Sequence, residues 1–75
     1  MYKIRQERKQ ELLKYKQKYY AEKIGVIQSH ISKVMTKGKC TEMLAKCIVS
    51  ICHQIAIDDV RMEELIEYYF TREEK

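Results

Sequence analysis

Only two residues in this 75-residue chain break a backbone on their own account, Gly25 and Gly38, and there is no proline. A sandwich, a barrel or a loop-rich fold needs turn residues at short, regular intervals. This chain lacks them. It can instead form a succession of short helices, with ends set by the two glycines and by capping side chains. The length predicts a single domain, residues 1–75. A chain this short buries only about 60–65% of the surface its unfolded form exposes, so its core must be dense or be supported by assembly.

The apolar periodicity places the helices. Residues 3–14 are charged and rich in helix formers, with Ile4, Leu12 and Leu13 as apolar points, and propensity predicts a first helix there. Tyr20, Ala21 and Ile24 place a second over 17–24, closed by Gly25. Ile27, Ile31, Val34 and Met35 place a third over 27–36, and Gly38 follows it. The clearest segment is the fourth, where Leu44, Cys47, Ile48, Ile51, Cys52 and Ile55 form one stripe of a helix. Thr41 stands in front of it as an N-cap. Asp58 and Asp59 are expected to cap a last helix carrying Met62, Leu65, Ile66, Tyr69 and Phe70. No hairpin signal interrupts this pattern. The expected fold class is all-α, a compact bundle of about five short helices with a helix-turn-helix over about 17–36.

Charge supplies the first clue to function. The net charge of +4 hides a split: residues 1–39 hold eleven Lys and Arg against three Glu, and residues 40–75 hold four against eight Asp and Glu. The first part carries +8 and the second −4. A nucleic-acid backbone is the commonest partner of such a basic face. An anionic membrane surface is the rival partner, and a solvated lysine-rich surface is the plain alternative. No apolar stretch approaches the roughly 18 residues of a membrane span. The start, Met1-Tyr2-Lys3-Ile4-Arg5, leads into charge rather than into an apolar signal segment. With three cysteines, an odd number, this predicts reduced thiols and a cytoplasmic location.

Metal and catalytic chemistry find little support. Cys40, Cys47, Cys52 and His53 lack the close pairs of a zinc site, and two of the cysteines lie on the apolar stripe. Asp58 and Asp59 are accounted for by capping. No phosphate-cradling glycine loop is present, and no cofactor, metal or enzymatic activity is expected. Tyr15, Tyr19 and Tyr20 among basic residues could stack bases, as in single-strand binders. At helical spacing they read more simply as core or rim.

The run QKYYAEKIGVIQSHISKV, residues 17–34, carries the sharpest signal. Ala21 supplies the small residue that two closely crossing helices want, and Gly25 supplies the turn between them. Val26, Ile31 and Val34, with Tyr20 and Ile24, would plug the angle between them. Gln28, Ser29, His30, Ser32 and Lys33 leave the second helix with a polar outer face, bearing groups that read base edges in a major groove. This run resembles the helix-turn-helix of phage-repressor-type regulators, the Cro and lambda-repressor-like (XRE) family. That family typically shows a pattern such as Q-x-x-L-A-x-x-x-G-V-S-Q-S-x-I-S. Two positions depart from it: Tyr20 stands where the family usually has Leu, and Ile27 stands where Ser, Thr or Asn commonly caps the recognition helix. Ile27 would there touch a thymine methyl or pack on a partner.

The resemblance implies roles. Gln28 and Ser29, then Ser32 and Lys33 one turn on, would read bases of double-stranded DNA. Gln17, braced against Gln28, would meet the DNA backbone together with Lys16, Lys18, Thr36, Lys37 and Lys39. The function implied is that of a phage or mobile-element transcriptional regulator, a repressor in the cytoplasm of a bacterial host cell. Such proteins usually bind as homodimers, because two-fold symmetry matches a palindromic site. Ile66, Tyr68, Tyr69 and Phe70 would form that two-fold interface or close the monomer's own core. The alternative is a phage accessory or inhibitor protein, of the anti-CRISPR kind, that uses the same scaffold to bind another protein.

Overall fold

The chain begins as a strand, not as a helix. In the computed structural model, which describes residues 1–72, Tyr2–Ile4 form strand β1. A 3-10 turn follows over Gln6–Arg8, and helix α1 spans only Lys9–Leu12. Helices α2 (Gln17–Ile24) and α3 (Gln28–Lys37) come next, then strand β2 (Lys39–Cys40). Helix α4 spans Glu42–His53, α5 spans Met62–Tyr69, and strand β3 spans Phe70–Arg72. The described residues thus hold five α-helices and a three-stranded antiparallel sheet of order β2-β1-β3. Residues 73–75, the end of the expected domain, lie outside the described residues.

The sheet corrects the all-α expectation, and the reason is physical. Each strand has two or three residues, too few for a period-2 pattern to declare itself. None is joined to its neighbour by a hairpin. β1 meets β2 in the register Tyr2↔Cys40 and β3 in the register Ile4↔Phe70. These strands form because helix-bearing segments bring them together. Two further hydrogen bonds fasten β1: the Ile4 N–H donates to the Gly38 carbonyl (2.7 Å), and the Arg5 N–H to the Tyr69 carbonyl (2.8 Å). Ile4, read from sequence as a weak helical point, is only 1% exposed.

The helices from Gln17 onward follow the sequence closely. α2 occupies the expected residues, and Gly25 closes it at φ 90°, where an L side chain would be strained. The Gly25 and Val26 N–H groups both donate to the Ala21 carbonyl, turning the chain sharply toward α3. Gly38 ends α3 in the same way at φ 74°. Thr41 caps α4, its hydroxyl accepting from the Leu44 N–H at 3.3 Å. The last helix differs: it starts at Met62 with Arg61 at the cap position. Asp59 instead accepts from the Arg61 N–H and guanidinium, at 2.8 and 3.0 Å, bracing the preceding turn. Arg61 holds the Asp59 carboxyl below its usual range.

Tyr20 lies at the centre of the core, fully buried with Leu12, Ile31, Ile48 and Val49. Its hydroxyl donates to the Leu12 carbonyl at the end of α1 (2.5 Å), so the phenol where a leucine was expected leaves no orphaned polar atom. On α4 the buried face runs through Leu44, Ala45, Ile48, Val49 and Cys52, while Cys47 and Ile51 are half-buried. The helix ends at His53 with Gln54 in the left-handed region, so Ile55, expected on the same helix, packs half-buried from beyond its end. The expected stripe is turned toward Ala45 and Val49 because α4 packs against α1, α2 and α5 together. Ile66, Tyr69 and Phe70 are buried within the chain, which leaves Tyr68, at 39% exposure, as the outward member of the expected two-fold surface. Of the candidate ligand residues, Cys40 and Cys52 are buried thiols, Cys47 is half-buried, and His53 hydrogen-bonds the Tyr69 hydroxyl at 2.7 Å.

Two measurements check this architecture. Ile4→Ala should cost about 2–5 kcal/mol by denaturant unfolding, as much as Ile48→Ala or Leu44→Ala. A cost below about 0.5 kcal/mol, the usual size of a surface change, would remove the central strand. Burial pushes the Cys40 thiol up to about 11. At pH 8 iodoacetamide should therefore label half-buried Cys47 first and reach Cys40 only as the chain unfolds. Equal rates at the two thiols would contradict the packing of β2.

Candidate nucleic-acid interface

The α2–turn–α3 unit presents one continuous surface. On α3, Ile31, Val34 and Met35 point into the core. At 3.6 residues per turn this sets Ser29, Lys33 and Thr36 along the middle of the outer face. Gln28 and Ser32 flank that line on one side, with His30 and Lys37 on the other. Gln28, Ser29, His30, Lys33, Thr36 and Lys37 are exposed, and Ser32 is half-buried at the margin. The expected base-reading set thus shares a face. Thr36, assigned from sequence to the backbone-contacting set, lies in the same row two turns beyond Ser29.

The electrostatics of this surface are one-sided. Between Glu22 and Glu42 the chain carries no carboxylate, while Lys23, Lys33, Lys37 and Lys39 fall in that stretch. Among the described residues, Lys16, Lys18, Lys33 and Lys37 enter no ion pair. Both helices begin without a side-chain cap and without an acidic residue in the first turn. The Tyr19 and His30 N–H groups turn back to the Lys16 and Ile27 carbonyls, and the first two N–H groups of each helix are left to solvent or to an anion. On α2, exposed Lys16 holds the cap position and exposed Lys18 lies in the first turn. Two cations at the positive end of a helix dipole oppose it, by about 0.3–1 kcal/mol each. Ile27, at the cap of α3, forgoes a bond worth about 1 kcal/mol. The local rules of stability are broken at the leading ends of two adjacent helices, where a phosphate would reverse the balance.

Not every expected contact is made within the chain. No hydrogen bond joins Gln17, half-buried at the start of α2, to Gln28 among the described residues. Tyr15 and Tyr19 face each other with ring centres 4.7 Å apart, and Gln54 donates to the Tyr15 hydroxyl. With Lys14, Lys16, Lys18 and Glu22 they line an open groove beside the start of α2. Tyr20, buried, belongs to the core.

Lys3 was not legible as part of this basic surface. The β1–β2 register sets it directly opposite Lys39, and both are exposed. No sequence signal links residues so far apart, because the link is a strand pairing that the sequence pattern does not announce. Elsewhere, no group of three His, Cys, Asp or Glu among the described residues could hold a metal ion. No helix there is long and apolar enough to cross a membrane.

The opposed dipole gives a prediction that needs no ligand. Lys18→Glu should stabilise the free chain by about 0.5 kcal/mol, raising Tm by a few degrees at low salt and less at high salt. A lower Tm would mean that Lys18 makes a stabilising contact.

Compared with protein-family models, with curated proteins and with solved structures, the chain matches none, so the chemistry of the interface rests on its own residues.

Proposed function

We propose that this chain is a sequence-specific double-stranded DNA-binding protein, a transcriptional regulator of the lambda-repressor-like helix-turn-helix kind. In this reading α3 enters the major groove. The observation that carries it is the outer face of α3, polar and free of carboxylates, on a helix that, like α2 before it, begins without a side-chain cap or a first-turn acid. Gln28, Ser29, Ser32 and Lys33 face base edges; a glutamine amide can pair with both N6 and N7 of adenine. Lys16, Gln17 and Lys18 meet phosphates before α3, and Lys37 and Lys39 meet them after it. Thr36 shares the row of Ser29 and Lys33 and meets the backbone where the groove closes on the helix.

A single ten-residue helix reads too few base pairs to single out a site in a genome, so two copies bind a palindrome. The proposal of a phage or mobile-element repressor in a bacterial cytoplasm follows from the resemblance of residues 17–34. The second reading, an inhibitor that docks on another protein, draws on exposed Ile27 at the leading end of α3.

Selection of bound fragments from random duplexes should enrich a two-fold symmetric site. On that site Gln28→Ala should lose about 1–3 kcal/mol, and on random DNA much less. Lys37→Ala should weaken both kinds of duplex and lower the slope of log K against log salt by about 0.9. Equal losses on both duplexes for Gln28→Ala would remove the assignment of α3 to base reading. Unchanged binding in both variants, folded by their melting curves, would remove DNA from the function altogether.

A further inference from the structure

Ile27 is unaccounted for by the fold. It stands at the cap of α3 in extended backbone, 71% exposed, and makes no capping bond. A side chain this exposed contributes little to the core, and a serine or threonine there would stabilise the helix start. An isolated apolar side chain is ordinary on a surface. This one occupies a position with a chemical demand that it fails, at the leading end of the face assigned to base reading.

Its surroundings decide what can cover it. The exposed residues that follow it are Gln28, Ser29 and His30, all polar. From α2 through α3 the other exposed large apolar side chain is Tyr19, whose ring is engaged with Tyr15 and Lys23. A protein interface is centred on a contiguous apolar cluster, and along α2 and α3 no run of exposed apolar residues accompanies Ile27. The stretch that carries it is cationic: no carboxylate lies between Glu22 and Glu42, while Lys23, Lys33, Lys37 and Lys39 do. That charge calls for a polyanion. On the floor of a major groove the apolar group on offer is the 5-methyl of thymine, set among hydrogen-bonding atoms.

We infer that Ile27 is a specificity-determining residue that packs against a thymine 5-methyl group, next to the base read by Gln28. The inference rests on the DNA-binding reading above. It assigns to the protein a requirement for thymine, as distinct from uracil, at one position of each half-site.

The test separates the two claims. The full chain selects its site from random duplexes, and each thymine of that site is then replaced in turn by deoxyuridine, which removes only the methyl group. One replacement should weaken the native chain about fourfold, the value of one buried methyl group. The same replacement should leave Ile27→Ser and Ile27→Ala unaffected, while both variants still prefer the site over random DNA. Ile27→Ser should also melt higher than Ile27→Ala, which shows that any loss of binding is not a loss of folding. If no deoxyuridine replacement matters to the native chain, the inference fails and DNA binding stands. If a replacement weakens native and variant chains alike, another residue reads the methyl and the inference fails. If no duplex is enriched at all, the DNA-binding reading fails, and this inference with it.

Discussion

The arrangement of the helices depends on a strand of three residues. β1 is first in the chain and central in the sheet, so everything between Arg5 and Tyr69 must return to it twice. The first return brings the end of α3, whose Gly38 carbonyl accepts from the Ile4 N–H. The second brings the end of α5, whose Tyr69 carbonyl accepts from the Arg5 N–H and whose Glu67 carbonyl accepts from the Arg5 guanidinium. Helix C-termini leave carbonyls without partners, and here a strand end supplies the donors. Tyr2 and Phe70 complete the join, meeting edge to face with ring centres 6.2 Å apart. Small domains carry little stability to spare, and this clasp closes the core at the place where a bundle of short helices would fray.

Within that frame, Tyr20 holds α2 against the end of α1. Its ring fills the centre of the core, and its hydroxyl satisfies a carbonyl that α1 would otherwise leave unpaired. Burial pushes the phenol far above its ordinary range. A leucine would fill similar space without that bond. Ala21 and the Gly25 turn then set α3 close against α2, with Ile31, Val34 and Met35 inward. The outer faces of the two helices follow from these inner contacts. The proposed interface is rigid because its back is the core.

The same surface gives up stability. Lysines at the positive end of α2 and an isoleucine at the cap of α3 both work against the helices they begin. The acidic residues that would have suited those ends occur on α5 instead, where Glu63 and Glu64 occupy the first turn. The separation of charge along the sequence thus becomes a separation among helix ends. Helices α4 and α5 begin in agreement with their dipoles, and α2 begins against its own.

Residues 17–53 were almost fully legible, because periodicity, two positive-φ glycines and the Thr41 cap are local signals that the structure uses as they stand. The polar face of α3 was legible for the same reason: once its apolar residues are inward, helical geometry decides the rest. The strands were not legible. Tyr2-Lys3-Ile4 alone has no preference strong enough to outweigh the helix formers that follow, and its partners lie 35 or more residues away. The sequence by itself determined the short helices, their glycine ends and the one-sided charge, since each is set by neighbours within a turn or two. Only the tertiary structure decided that Ile4 is core, that Lys3 stands opposite Lys39, and that Ile66, Tyr69 and Phe70 serve the monomer. Those are consequences of long-range pairing, where contact is made by the fold and not by proximity along the chain.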